Sequence, residues 1–260
     1  MIRWSLWQKR WGILAWSLGV VSLVGVTLAF YPTIHDQAAQ LNKSFGGLSK
    51  STLDLFGGTD FFSPVGYLNS QIIYFTLPLV LSILGISLGN SLIGREETDG
   101  SIELLLSRPV SRSYLLGAKA LAGFANLLAV TAVSSATIIL LASLVNMGIP
   151  LVYIAAACFA MFMLVLAFSA LAFLLAATGR GRAMALGASV GYALGGYILS
   201  SLASSVHWLQ NISIVFPYHY YRTADILHGT FNWSSIIFFA AFTIGCGLLA
   251  WLSFRRRDLA

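Results

Sequence analysis

Residues able to carry chemistry are few in this chain, and most stand in patterns that argue against catalysis. Four histidines, His35, His207, His219 and His228, with Asp225 near the last two, are of the types that hold metal ions or relay protons. Their spacing is not that of a compact ligand set, and the run Tyr218, His219, Tyr220, Tyr221 reads as aromatic packing at a membrane interface. Gly85-Ile86-Ser87-Leu88-Gly89 matches a nucleophile elbow, but that motif needs a strand-to-helix turn and here lies within an apolar block. Cys158 and Cys246 also sit in apolar blocks, which suits small buried hydrophobes better than a disulfide or a zinc site. No Gly-x-x-x-x-Gly-Lys-Ser/Thr loop is present to cradle ATP phosphates. The middles of the apolar blocks carry no acidic or basic residue of the kind that ion-coupled transporters and proton relays use.

The ionisable residues gather instead in one stretch, Arg95 to Lys119, where nine of them (Arg95, Glu96, Glu97, Asp99, Glu103, Arg108, Arg112, Tyr114, Lys119) fall between two apolar blocks. Such a stretch must lie in water at a bilayer face. Within it Ile102, Leu105 and Leu106 share one helical face while Glu103 points elsewhere, the pattern of a short amphipathic helix. Pro109 ends that helix, and Ser111 is placed to cap the next.

The rest of the chain is what brings this stretch to the membrane. With 58% hydrophobic and 9% charged residues, against roughly 25% charged in soluble domains, the 260 residues compose an all-α integral membrane protein. The net charge of +6 is scattered at the ends of apolar blocks rather than collected on a polar domain, so the partner it indicates is the lipid bilayer and not nucleic acid. Apolar blocks predict six spans, about 12–30, 71–93, 122–145, 151–177, 183–206 and 234–254, within a single transmembrane domain over 1–260. Ahead of the first, Trp4, Trp7 and Trp11 share a face with Arg3, Lys9 and Arg10 off it, which predicts an interfacial helix. The segment 31–70 reads as a loop with short surface helices, and the second span is expected to kink near Pro78. In the fifth span Gly187, Gly191 and Gly195 recur every four residues, a smooth ridge for close helix packing, either in the bundle or in a dimer.

Alternating spans place Arg3, Lys9, Arg10, Arg95, Arg108, Arg112, Lys119, Arg180, Arg182, Arg255, Arg256 and Arg257 on one face, and only Lys43, Lys50 and Arg222 on the other. By the positive-inside rule both termini and the charged stretch are expected in the cytoplasm.

The run Glu96-x-x-x-Gly100-Ser101-Ile102-Glu103-x-Leu105-Leu106-x-x-Pro109-Val110-Ser111-Arg112 resembles the cytoplasmic loop of ABC-2 type transporter permeases, and stands between the second and third of six spans as it does there. Phe61 to Asn69 and Phe216 to Tyr221 resemble further stretches of the bacterial single-domain members. The resemblance implies a multi-pass permease of the bacterial plasma membrane that exports a substrate by alternating access. By that resemblance it would pair with a second permease copy, as homodimer or heterodimer, and with cytoplasmic ABC ATPase subunits that bind the ATP and Mg, so the chain itself is expected to hold no cofactor and to be no enzyme. By the same resemblance the helix around Gly100 to Ser107 is the coupling helix that docks on the ATPase, and spans two and five line the pathway. Two other classes stay open: a membrane-embedded enzyme using the outer histidines with Asp225, and a membrane assembly or immunity factor that does not transport.

Overall fold

Apolar segments of twenty or more residues cross hydrocarbon only as helices, because lipid offers backbone N–H and C=O groups no partner. The computed structural model meets this with six helical stretches long and apolar enough to span a membrane: Arg10–Asp36, Pro64–Leu92, Leu116–Leu144, Leu151–Ala177, Arg182–Leu202 and Trp233–Arg255. The structure describes residues 2–38, 40, 50–55, 57, 61–98, 112–179, 181–203 and 206–256. The helices in order are α1 (Ile2–Ala29), α2 (Tyr31–Asp36), α3 (Lys50–Leu55), α4 (Pro64–Leu68), α5 (Thr76–Thr98), α6 (Arg112–Leu144), α7 (Leu151–Ala177), α8 (Arg182–Leu202), α9 (His207–Ser213), α10 (Thr223–Leu227) and α11 (Trp233–Arg256). A π-turn over Asn69–Ile73 joins α4 to α5, and a 3-10 turn over Pro217–Tyr220 lies between α9 and α10.

Several of these differ from the pattern the sequence suggests. The interfacial helix expected over the first eleven residues is not set apart from the first span, since α1 is continuous from Ile2 to Ala29. Gly12 and Gly19 each cost a helix about 1 kcal/mol relative to alanine, too little to break one this long. The second helical stretch begins at Pro64, because Ser63 Oγ accepts from Gly66 N at 3.0 Å and proline suits the first helical turn. The irregularity attributed to Pro78 lies one turn earlier. A proline ring clashes with the carbonyl four residues back, which here belongs to Tyr74, and the chain leaves α geometry at the turn Tyr74–Phe75 and the π-turn before it. Gly100, Ser101, Ile102, Glu103, Leu105, Leu106, Pro109 and Ser111 lie outside the described residues, as do the side chains of Glu96 and Arg112, which stand in α5 and α6.

α7 is the centre of the bundle. It carries no charged residue, packs against α5 and α11 most extensively, and also meets α6, α8 and α10. Its closest approach is to α5. A Cβ built on Gly89 would stand 2.2 Å from Ser169 O, and one on Gly85 3.0 Å from Val165 Cγ1. These glycines, four residues apart, bring two backbones into contact, and that gains the van der Waals energy that holds helices together where lipid removes the hydrophobic drive. The serine of the Gly85-to-Gly89 run is therefore part of a helix rather than of an elbow.

At the periphery α1 and α11 expose large apolar side chains such as Leu18 (66%) and Ile244 (61%), as lipid-facing helices should. The hydroxyls inside α6 are satisfied within their own helix: Thr131 donates to Leu127 O at 2.8 Å, Ser134 to Val130 O at 2.8 Å and Ser135 to Thr131 O at 2.8 Å. Asn146 (φ 51°) and Gly148 (φ 72°) turn the chain from α6 into α7, in a left-handed conformation that these two residue types tolerate best.

Replacing Gly89 by alanine is expected to lower the melting temperature in detergent, since overpacking of this kind costs about 1–3 kcal/mol and here the obstacle is backbone. No described residue lies within 4 Å of a Cβ on Gly187, so Gly187→Ala is expected to keep or slightly raise the bundle's melting temperature. Equal melting of the two variants would remove the glycine contact between α5 and α7.

Candidate functional site

The bundle has two chemically different ends. At one, Thr98, Arg112 and Arg182 begin or close helices; Trp251 Nε1 of α11 donates to Ser113 Oγ at 3.0 Å and Asn90 Nδ2 of α5 donates to Arg182 O at 3.1 Å. This is the basic end. At the other, tyrosines from α4, α8 and the segment before α11 converge, and this is the aromatic end.

The segment between α8 and α11 does not lie flat as an interfacial belt. Tyr218 and Tyr221 are buried, at 6% and 2% exposure, and they enter between α8, α7 and the π-turn. Tyr221 Oη donates to Ile73 O at 2.6 Å, and its ring stacks on Tyr74 at 6.5 Å and meets Tyr218 edge-on at 5.8 Å. Thr223 Oγ1 donates to Asn69 Oδ1 at 2.7 Å, with both residues buried, and Asn69 Nδ2 donates to Gly57 O at 3.0 Å. Tyr74 Oη and Ser201 Oγ are 2.8 Å apart, Tyr197 Oη donates to Leu55 O, and Tyr67 Oη donates to Thr27 O at 2.7 Å. The π-turn, a departure from α geometry that recurs at functional sites, is thus bonded to the outer segment by side chains that sequence periodicity does not single out. Burial keeps the phenols of Tyr218 and Tyr221 protonated by raising their pKa.

Among the described side chains His35, His219 and His228 form no metal-holding group. His219 Nδ1 lies 2.8 Å from Ser213 Oγ, which donates to Gln210 O at 2.9 Å; both bonds form together when Nδ1 carries the proton. His35 stacks on Tyr31 at 5.4 Å, Asp225 and His228 are exposed, and the side chain of His207 lies outside the described residues. Among the described residues no group of three or more His, Cys, Asp or Glu side chains is placed to hold a metal ion. Cys158 and Cys246 are buried free thiols.

Toward the basic end a cavity of about 510 Å³ opens between α1, α5, α6 and the start of α8. Ser87, Ser91, Asn126 and Arg182 supply its polar wall, and Trp16, Leu84 and Val130 much of its apolar one. Its α5 wall continues the helix that carries the π-turn, so one helix joins the tyrosine cluster to the cavity. Along the glycine ridge of α8 no described residue lies within 4 Å of a Cβ added at Gly187, Gly191 or Gly195.

Removing the hydroxyl in Thr223→Val leaves Asn69 Oδ1 buried without that donor, which costs about 1–3 kcal/mol. The expected result is a lower melting temperature that Thr223→Ser restores, and a wild-type melt for Thr223→Val would show the bond to be idle. Burial first and Arg222 second lower the His219 pKa below its ordinary 6.5, so the unfolded chain takes up this proton before the folded one. Stability contributed here is full above about pH 6.5 and falls as pH drops toward the folded value. His219→Gln should flatten that acid limb, and an unchanged limb would assign it to other groups.

The sequence profile of the ABC-2 family transporter proteins matches residues 8–259. No curated protein matches the chain. A match across nearly all of the chain, with six membrane-length helices among the described residues, establishes that this protein belongs to the ABC-2 transporter family.

Proposed function

We propose that this chain is the permease subunit of an ATP-driven exporter, working with a second permease copy and with separate ATP-binding subunits that hold the ATP and Mg. The observation that carries the reading is the family match over residues 8–259 on a six-helix transmembrane chain. The absence of a P-loop in the sequence accords with hydrolysis in a partner. Twelve of fifteen basic residues fall on the side that bears the charged stretch, which supports a bacterial plasma-membrane protein with both termini in the cytoplasm. Gly187, Gly191 and Gly195 present a smooth surface that the described residues of this chain do not approach, and a second permease copy is the partner we assign to it.

Coupling is assigned to the stretch from Glu96 to Arg112. Ile102, Leu105 and Leu106 form the apolar face that would enter the ATPase, while Glu103 stands at its rim. Each apolar side chain buried there contributes on the order of 1.5–3 kcal/mol, so truncating two would weaken association by about a hundredfold or more.

The test is co-expression with a candidate ABC ATPase subunit from the same genome, comparing wild type with the double variant Ile102→Ala/Leu105→Ala. Loss of ATPase recovery and of transport, with normal membrane insertion, is the expected result. Normal recovery and transport in the double variant would refute the coupling assignment.

A further inference from the structure

The cavity toward the basic end contains a polar group that its surroundings leave unanswered. Asn126 is 2% exposed, and among the described residues neither its Oδ1 nor its Nδ2 has a hydrogen-bond partner. It stands ten residues into the Leu116–Leu144 span, about 15 Å along the helix from the start of that span. A carboxamide at that depth, unlike the self-bonding hydroxyls of Thr131 and Ser134 one and two turns further on, cannot reach its own helix's carbonyls in the same way and needs a partner in the cavity.

The walls state what that partner is. Among the described residues that line the cavity Arg182 is the one cation and none is a carboxylate, so the polar part of the ligand is anionic. Ser87 and Ser91 add hydroxyls on the α5 side. Trp16, Leu84 and Val130 make the remaining wall apolar, which calls for a ligand with a hydrocarbon portion. Gly12, Ser87 and Arg182 are exposed, so the cavity opens to the surface of the bundle. Its volume of about 510 Å³ falls in the roughly 300–1,000 Å³ typical of small-molecule sites. Basic pockets between transmembrane helices at the cytoplasmic side recognise anionic lipid headgroups on these same principles.

We propose that this cavity binds the headgroup of an anionic phospholipid, with the phosphate at Arg182, the deeper polar atoms bonded to Asn126, and an acyl chain leaving between α1 and α5. Placing it in the cytoplasmic leaflet rests on the orientation given above, whereas the site itself rests on the cavity. Binding requires no ATPase, so failure of the lipid assay leaves the transporter reading standing, and loss of ATPase coupling leaves the lipid site standing.

The experiment counts lipid retained by the delipidated full chain in detergent by native mass spectrometry, after exposure to micelles containing phosphatidylglycerol or phosphatidylcholine. Wild type should retain phosphatidylglycerol about tenfold better, as a charge-assisted contact provides. Arg182→Gln and Asn126→Leu should each abolish that preference, while Arg255→Gln, whose guanidinium lies 4.7 Å from the Trp251 ring, should keep it. Arg182 is an exposed side chain, so its variant decides the matter should Asn126→Leu fail to fold. Equal retention of the two lipids by wild type, an undiminished preference in Arg182→Gln, or displacement of the lipid by inorganic phosphate alone would overturn the proposal.

Discussion

The contact on which the other features depend is the meeting of two backbones at Gly89 and Ser169. In hydrocarbon, helices gain nothing from burying apolar surface that lipid would cover equally well, so they must come close enough to exchange lipid contacts for denser protein ones. Hydrogen atoms in place of side chains at Gly85 and Gly89 permit that approach. Because α7 touches most of the remaining spans, fixing α5 against it fixes the frame. The two ends of the second span then carry the two notable sites, the tyrosine cluster at Asn69 to Tyr74 and the cavity at Ser87 and Ser91.

Polar satisfaction is the second constraint, and it explains the chemistry at both ends. At the aromatic end, hydroxyls of Tyr67, Tyr197 and Tyr221 each donate to a backbone carbonyl of another segment, and Thr223 donates to Asn69. Such bonds hold irregular backbone deep in a membrane protein, where it survives only if buried in protein or lining a cavity. At the basic end the Arg182 carbonyl answers Asn90 Nδ2 alone, its Oδ1 having no partner among the described residues, while Asn126 lines the cavity. One structure is thus tied closed at one end and open to a polar guest at the other.

Sequence patterning reveals the spans readily, since a membrane helix is specified by its own composition. The charged stretch between the second and third spans is likewise a local feature, and with the runs Phe61 to Asn69 and Phe216 to Tyr221 it carried the family resemblance that the profile match bears out. What periodicity does not contain is which faces meet. At the conspicuous ridge of Gly187, Gly191 and Gly195 no described residue comes within 4 Å of an added Cβ, whereas at the less conspicuous pair Gly85 and Gly89 the backbone and side chains of α7 do. Spacing alone is the same for both. The bond from Thr223 to Asn69 joins positions 154 residues apart, so the burial of the Tyr218–Tyr221 run could not be read from its aromatic composition. Pro78 was a sound signal for a distortion, displaced by the one turn that separates a proline from the carbonyl it disturbs.

The central claim, that this chain is a permease acting through separate ATP-binding subunits, is tested most directly by the composition of the complex it forms. Native mass spectrometry of the protein gently solubilised from its own membrane reads that composition without a known substrate. The expected result is two permease copies with two ATPase subunits, whose hydrolysis of ATP changes when the permease is present. A chain recovered without any nucleotide-binding subunit, beside an ATPase whose activity is indifferent to it, would contradict the account.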